Sequence, residues 1–209
     1  MNLWPETVTL RGAHAELVPL CPGHHDDLVE AVKDGELWQL WYTAVPEPGA
    51  MGQEIARRLG LRERGMMLPF TVVDGEGRIR GMTSYMNIDE VNRRVEIGST
   101  WLARSAQRSV LNSACKRLLL GHAFEVLDCI AVEFRTHFFN HDSRRAIERL
   151  GAKQDGILRS HQIGANGALR DTVVFSIVAQ EWPAVKTHLD ARISALCPGG
   201  REAPGESRR

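Results

Sequence analysis

Residues Glu96 to Lys116, EIGSTWLARSAQRSVLNSACK, decide how the rest of this chain is read. Val95, Ile97 and Trp101 alternate with Glu96, Gly98 and Thr100, which is the period of a half-buried strand. After Ala106 the period changes. Ala114, Leu118, Leu119, Ala123 and Phe124 recur at helical spacing, and Asn112 is the expected cap, so a helix is expected to start at or near it. A helix that begins just past a strand end turns unpaired N–H groups and a positive dipole end into the connecting loop. Such an end attracts phosphate or carboxylate. The same pattern also fits an ordinary strand-to-helix turn, so it takes its meaning from what surrounds it.

Outward from this stretch, strands and helices follow in mixed order. Val8 to Leu20 reads as one or two short strands, and a helix opens at His24-His25-Asp26-Asp27 with its acids in the first turn. Cys21, His24 and His25 do not have zinc-ligand spacing, and no metal is expected. Trp38, Trp41 and Tyr42 lie in an aromatic connection, and Met51, Ile55 and Leu59 give a second helix its apolar stripe. Residues 68–73 and 78–88 form a hairpin around Asp74-Gly75-Glu76-Gly77. Beyond the Glu96 strand and its helix come a strand over 129–138, a short helix after Asn140 closed by Gly151, and a final hairpin. That hairpin pairs 152–163 with 169–178 through Asn166-Gly167, and Pro183 opens a last helix reaching about Ser194. The order predicts an α/β (α+β) fold with a mixed, mainly antiparallel central sheet and helices on both faces. Residues 1–195 are expected to be one domain, and 196–209 a disordered tail poor in apolar residues.

Composition narrows the function classes. The 26 basic residues balance the 26 acidic ones, so net charge calls for neither nucleic acid nor an acidic membrane. The sequence has no 18-residue apolar run and no basic-then-apolar leader pattern. Its four cysteines are scattered without a C-x-x-C pair, which fits reduced thiols and a cytoplasmic enzyme.

Gln107-Arg108-Ser109-Val110-Leu111-Asn112 resembles the pyrophosphate-binding loop Q/R-x-x-G-x-G/A of the GNAT acetyltransferase superfamily. Thr136 to Gly151, THFFNHDSRRAIERLG, is similar to that superfamily's second cofactor segment, and the resemblance to its RimJ/RimL branch runs from about Val8 to Trp182. It implies acetyl-CoA as co-substrate, a parallel strand pair (94–103 and 129–138) that splays apart around the cofactor arm, and a homodimer.

The resemblance also assigns residues. Backbone groups of Leu102, Ala103 and Arg104 would pair with the pantetheine arm, and amides from Gln107 to Asn112 would hold the pyrophosphate. Asn140 would bond the arm, with Ser143 near the sulfur, where it or water would supply the leaving thiolate's proton. Arg104, Arg108 and Arg144 would offer charge to phosphate. Glu96 is the expected general base and His137 the second candidate, whereas a structural role would pair Glu96 with Arg94 or Arg135. Trp38, Trp41 and Tyr42, with Ser84 and Tyr85, would line the acceptor pocket unless the tryptophans are core anchors. The departure is Val110, which stands where the family has Gly; no Gly occurs between Arg104 and Leu120. A left-handed Val110 would cost roughly 1–2 kcal/mol and weaken cofactor binding about tenfold.

Acetyl transfer to an amine needs an aligned thioester, a neutral nucleophile and a stabilised oxyanion. Neutralising a lysine-like amine of pKa about 10.4 at pH 7 costs roughly 4.6 kcal/mol, against about 1 for an α-amine. A peptide N-terminus would therefore need only a weak base or a water relay. The sequence reads as an N-acetyltransferase working by direct attack in a ternary complex. The other reading is a non-catalytic acyl-CoA-binding or regulatory protein whose loop has decayed.

Overall fold

The computed structural model describes residues 4–164 and 166–197. Most of the tail expected to be disordered, from Pro198 onward, lies outside the described residues. Eight strands form one sheet: β1 (Leu10–Arg11), β2 (Ala15–Pro19), β3 (Met67–Asp74), β4 (Ile79–Asp89), β5 (Arg94–Leu102), β6 (Ala131–His137), β7 (Lys153–Ile163) and β8 (Leu169–Val178). Their order is β1-β2-β3-β4-β5-β6-β8-β7, and every neighbouring pair is antiparallel except β5 and β6. The helices are α1 (His25–Lys33), α2 (Met51–Glu63), α3 (Val110–Gly121), α4 (His141–Glu148) and α5 (Trp182–Leu196). The fold is thus the expected mixed α/β sheet with one parallel pair at its centre.

Neighbouring residues of β4 show how the two faces are covered. Thr83 meets Lys116 of α3, while Ser84 meets Arg58 of α2. Successive strand side chains point to opposite faces, so α2 and α3 lie on opposite sides of the sheet. Beneath α3 the core contains Val95, Ile97, Val132, Phe134, Phe175 and Leu119, all at most 3% exposed. Trp182 and Leu189 of α5 are buried against the same core.

Two expected boundaries move. The helix after β5 begins at Val110, two residues before Asn112, because Ser109 is its cap: the Ser109 hydroxyl accepts from the Leu111 N–H. Ser and Asn serve almost equally well there, and Ser109 also donates to the Ala106 carbonyl at 2.7 Å, which fixes it in the turn. The last helix runs to Leu196, two residues past the expected end.

Candidate active site

The site begins where the sheet opens. β5 and β6 pair only through Arg94↔Ala131, Val95↔Val132 and Glu96↔Glu133. Beyond that point β5 stays with β4 as far as Leu102, and β6 stays with β8 as far as His137. The two parallel strands therefore diverge, as the splayed pair requires. One cause is a bulge in β5. Between Gly98 and Trp101 that strand advances three residues while β4 advances two, and Ser99 takes a left-handed φ of 47°. Thr100, just past the bulge, is the one exposed residue of β5, although the strand lies in the middle of the sheet. It lies on the stretch of β5 left without a β6 partner, which forms an open cradle between the two strands.

An arginine missed by the sequence reading holds the bulge. Arg58 of α2 is 1% exposed. Its guanidinium donates to the Ser99 carbonyl and to the Ser84 hydroxyl, each at 3.1 Å, and to Glu54 Oε1 at 2.6 Å. Burial depresses its pKa, with the Glu54 carboxylate opposing. The signal was present: Arg58 stands seven residues after Met51 and three after Ile55, inside the apolar stripe of α2.

Glu96 sits at the closed end of the opening, 6% exposed. Its Oε2 accepts from Asn87 Nδ2 at 2.6 Å and lies 3.5 Å from Arg135 Nε. Burial raises its pKa, and Arg135 and Asn87 only partly counter this. Arg94, the other arginine considered for it, bonds Glu133 instead. A cavity of about 170 Å³ adjoins the carboxylate, lined by Asn87, Asp89, Arg94, Val95, Glu96, Glu133 and Arg135.

His137 stands four residues along β6 from Glu133, roughly 13 Å toward the far end of the opening. It is 6% exposed, and its Nδ1 accepts from the Phe139 N–H, so the neutral ring carries its proton on Nε2. Burial lowers its pKa, helped by Arg170 and opposed by Asp171. Trp41 lies edge-on to it at 5.0 Å, with Tyr42 at 6.3 Å and Phe139 at 5.8 Å. Trp41 and Phe139 are more than half exposed, 58% and 54%, so this aromatic group forms a surface at the mouth rather than a core anchor.

The other acceptor-pocket candidates are placed differently. Trp38 packs half-buried against the core. Ser84 is buried beneath Arg58. Tyr85 is fully buried on the opposite face, where its hydroxyl donates to the Leu119 carbonyl at 2.6 Å. Residues 84 and 85 point to opposite faces, so they do not share a pocket, and Tyr85 is a core residue.

The loop into α3 is held by its own hydrogen bonds. The Ala103 and Arg104 N–H groups donate to the Arg80 and Asp34 carbonyls, and Gln107 Nε2 donates to the Leu102 carbonyl. The Ala103 and Arg104 amides are therefore already used, and the strand edge facing the opening runs from Leu102 back to Thr100. Val110 is in the helix, and the left-handed residue is Arg108, with φ of 59°. The strain anticipated at Val110 is absent. The first-turn amides of α3 face the loop without helical partners, apart from Leu111, which is capped by Ser109.

On the β6 side, Asn140 caps α4 by accepting from the Ser143 N–H at 3.0 Å. Arg144 lies over the Phe138 ring at 5.1 Å and donates to the Phe138 carbonyl, while its Nε is buried without a partner. Among the described residues no group of His, Cys, Asp or Glu is arranged to hold a metal ion, and no helix is long and apolar enough to cross a membrane.

The chain is 34% identical over 112 residues to "Putative ribosomal N-acetyltransferase YdaF" of Bacillus subtilis (strain 168), covering 53% of this chain and 60% of that protein. A GCN5-related N-acetyltransferase from Brucella melitensis superposes with a TM-score of 0.81 at 29% identity, covering 90% of this chain and 86% of that one. A chain from T. thermophilus, described as a "putative acetyltransferase", superposes with a TM-score of 0.79 at 32% identity, covering 90% and 98%. Residues 14–153 match the model of the acetyltransferase (GNAT) domain, and the chain belongs to that family.

Proposed function

We propose that this chain transfers an acetyl group from acetyl-CoA to a primary amine, by direct attack within a ternary complex. The observation that carries the reading is the opened β5–β6 pair, with a pinned bulge, an exposed Thr100 and a buried carboxylate at the closed end. An extended thioester arm fits such a gap as an added strand. The first turn of α3 offers amides and a positive dipole end to the pyrophosphate. Arg104 and Arg108 lie in the loop leading to that turn. Asn140 and Ser143 open α4 on the other side of the gap, next to the arm. Acetyl-CoA supplies the activated acyl group.

Glu96 receives the proton of the attacking amine through water. Its raised pKa makes the carboxylate a better base than an exposed glutamate, and the adjoining cavity gives water access. His137, held neutral by burial, faces the aromatic mouth and orients the acceptor. The Trp41, Tyr42 and Phe139 surface suits a peptide N-terminus, whose α-amine is mostly neutral already and needs little from the base. The ribosomal name of the Bacillus relative favours that acceptor class over small-molecule amines. The closure of the loop by the Ser109 and Gln107 side chains, without glycine and without strain at Val110, weighs against the non-catalytic alternative.

The test is thiol release from acetyl-CoA against a panel of N-terminal peptides, polyamines and aminoglycosides. Turnover confined to peptides supports the full reading. Turnover with polyamines or aminoglycosides alone replaces the acceptor class. Tight acetyl-CoA binding without any thiol release would establish the non-catalytic alternative.

A further inference from the structure

Lys116 is a buried lysine that the account above does not use. It projects from α3 toward the sheet and is 6% exposed. Its ammonium donates to Thr100 Oγ1 at 2.9 Å and to Thr83 Oγ1 at 3.3 Å, and the two threonine oxygens are 2.8 Å apart. These partners are hydroxyls, not carboxylates. The one ionisable neighbour that acts on it is Cys115, whose thiol burial pushes up to about 12, so that it stays neutral. A buried cation without an anionic partner is expensive to keep. The hydroxyl it bonds most closely is that of Thr100, the residue β5 exposes to the gap. The charge is therefore directed, through one hydroxyl, at the cradle where a ligand arm would lie.

This arrangement meets a need for which the resemblance offers only Ser143 or water. Acyl transfer from a thioester releases a thiolate, which must be stabilised and protonated. We propose that Lys116, acting through the Thr100 hydroxyl, stabilises that departing thiolate and returns a proton to it, an inference that rests on the acetyl-CoA reading above. In the step, the acceptor nitrogen forms a bond to the carbonyl carbon, the C–S bond breaks, and its electron pair stays on sulfur. Thr100 gives its hydroxyl proton to the sulfur while Lys116 Nζ replaces that proton on Thr100 Oγ1. Lys116 regains its proton from solvent, and the acceptor's proton leaves by way of Glu96. Lys116 is a positioning residue here, since Thr100 is what meets the sulfur.

The test is the acidity of the CoA thiol on the protein, which needs no acceptor amine. Reduced CoA is bound to the wild type, Lys116→Met and Ser143→Ala, and thiolate absorbance is followed against pH with desulfo-CoA-loaded protein as blank. The bound thiol should titrate about one pH unit below free CoA in the wild type, the scale of a nearby unit charge at moderate dielectric. That shift should vanish in Lys116→Met and persist in Ser143→Ala. Desulfo-CoA should bind wild type and Lys116→Met within about twofold, since only the sulfur is concerned. Thr100→Val, read in the same way, should also lose the shift, and it carries the test should Lys116→Met fail to fold. Coincident thiol titrations in the wild type and in whichever variant folds would overturn the role of Lys116 while leaving acetyl-CoA binding intact. Failure of CoA itself to bind the wild type would instead remove the underlying functional reading.

Discussion

Replacing Lys116 by methionine should make the protein more stable, and by a predictable amount. Burial lowers the ammonium pKa from an ordinary 10.5 to about 8. That difference corresponds to about 3 kcal/mol of penalty for carrying the charge in the folded state. The sign follows from linkage. The folded value lies below the unfolded one, so the penalty is complete below pH 8, shrinks as pH rises toward 10.5, and is gone above it. Methionine is similar in volume and carries no charge, and the two threonine hydroxyls still bond each other. At pH 7 the variant should gain about 3 kcal/mol in urea unfolding, or roughly 6–12 °C in Tm for a chain of this size. The measurement is a pair of unfolding curves every half unit from pH 7 to 10.5, read as the difference between the proteins. A gain that closes with rising pH supports the argument. A Met variant that is less stable at pH 7, or a difference flat across that range, would refute the placement of an uncompensated cation at Lys116.

Three other substitutions probe the site. Glu96→Gln should lower turnover more at neutral than at high pH, because a base matters less once solvent has deprotonated the amine; coincident pH–rate profiles from pH 6 to 9 would make Glu96 structural. Arg58→Met should reduce stability by about 3 kcal/mol and raise the KM for acetyl-CoA, since it leaves Glu54 short of a partner and frees the Ser99 carbonyl. Arg58→Lys, with charge but no fork, should recover only part of either, as melts and steady-state kinetics would show. Val110→Gly should leave acetyl-CoA affinity no better and cost about 1 kcal/mol, because residue 110 lies within α3; tighter binding by calorimetry would show that the loop rearranges on the ligand.

What could be read from the sequence follows the range of the interactions. Strand and helix order and both hairpins were legible, because apolar period and turn residues are local signals; the parallel pair came only from the family resemblance. The bulge was not. Ser99, Asn87 and Arg108 all adopt left-handed φ without being glycine, so none announces itself. Ser99 is held by a guanidinium 41 residues earlier in the chain, a contact no local pattern contains. Ser84 and Tyr85 were placed in one pocket although alternation already sends neighbours to opposite faces. Period 2, applied strictly, would have separated them.

The same reasoning explains why the glycine-free loop is intact. A glycine is required where the backbone must turn left-handed or where a ligand approaches too closely for a Cβ. Aligning the motif on Gln107 put that requirement on Val110, a β-branched residue for which a left-handed turn is hardest. With Ser109 as the cap, the only left-handed position moves to Arg108, an unbranched residue that tolerates it better. The turn is then closed by side chains: Ser109 bridges the Ala106 carbonyl and the Leu111 N–H, and Gln107 returns to the Leu102 carbonyl. These bonds fix the angle at which β5 delivers the chain to α3, and hence where the amides of the first turn point. If that is their role, Ser109→Ala should cost about 1 kcal/mol as a lost cap and weaken acetyl-CoA binding as well. Calorimetry and melting on one sample separate the two effects. Lost stability with unchanged affinity would mean that the ligand, not Ser109, orients those amides.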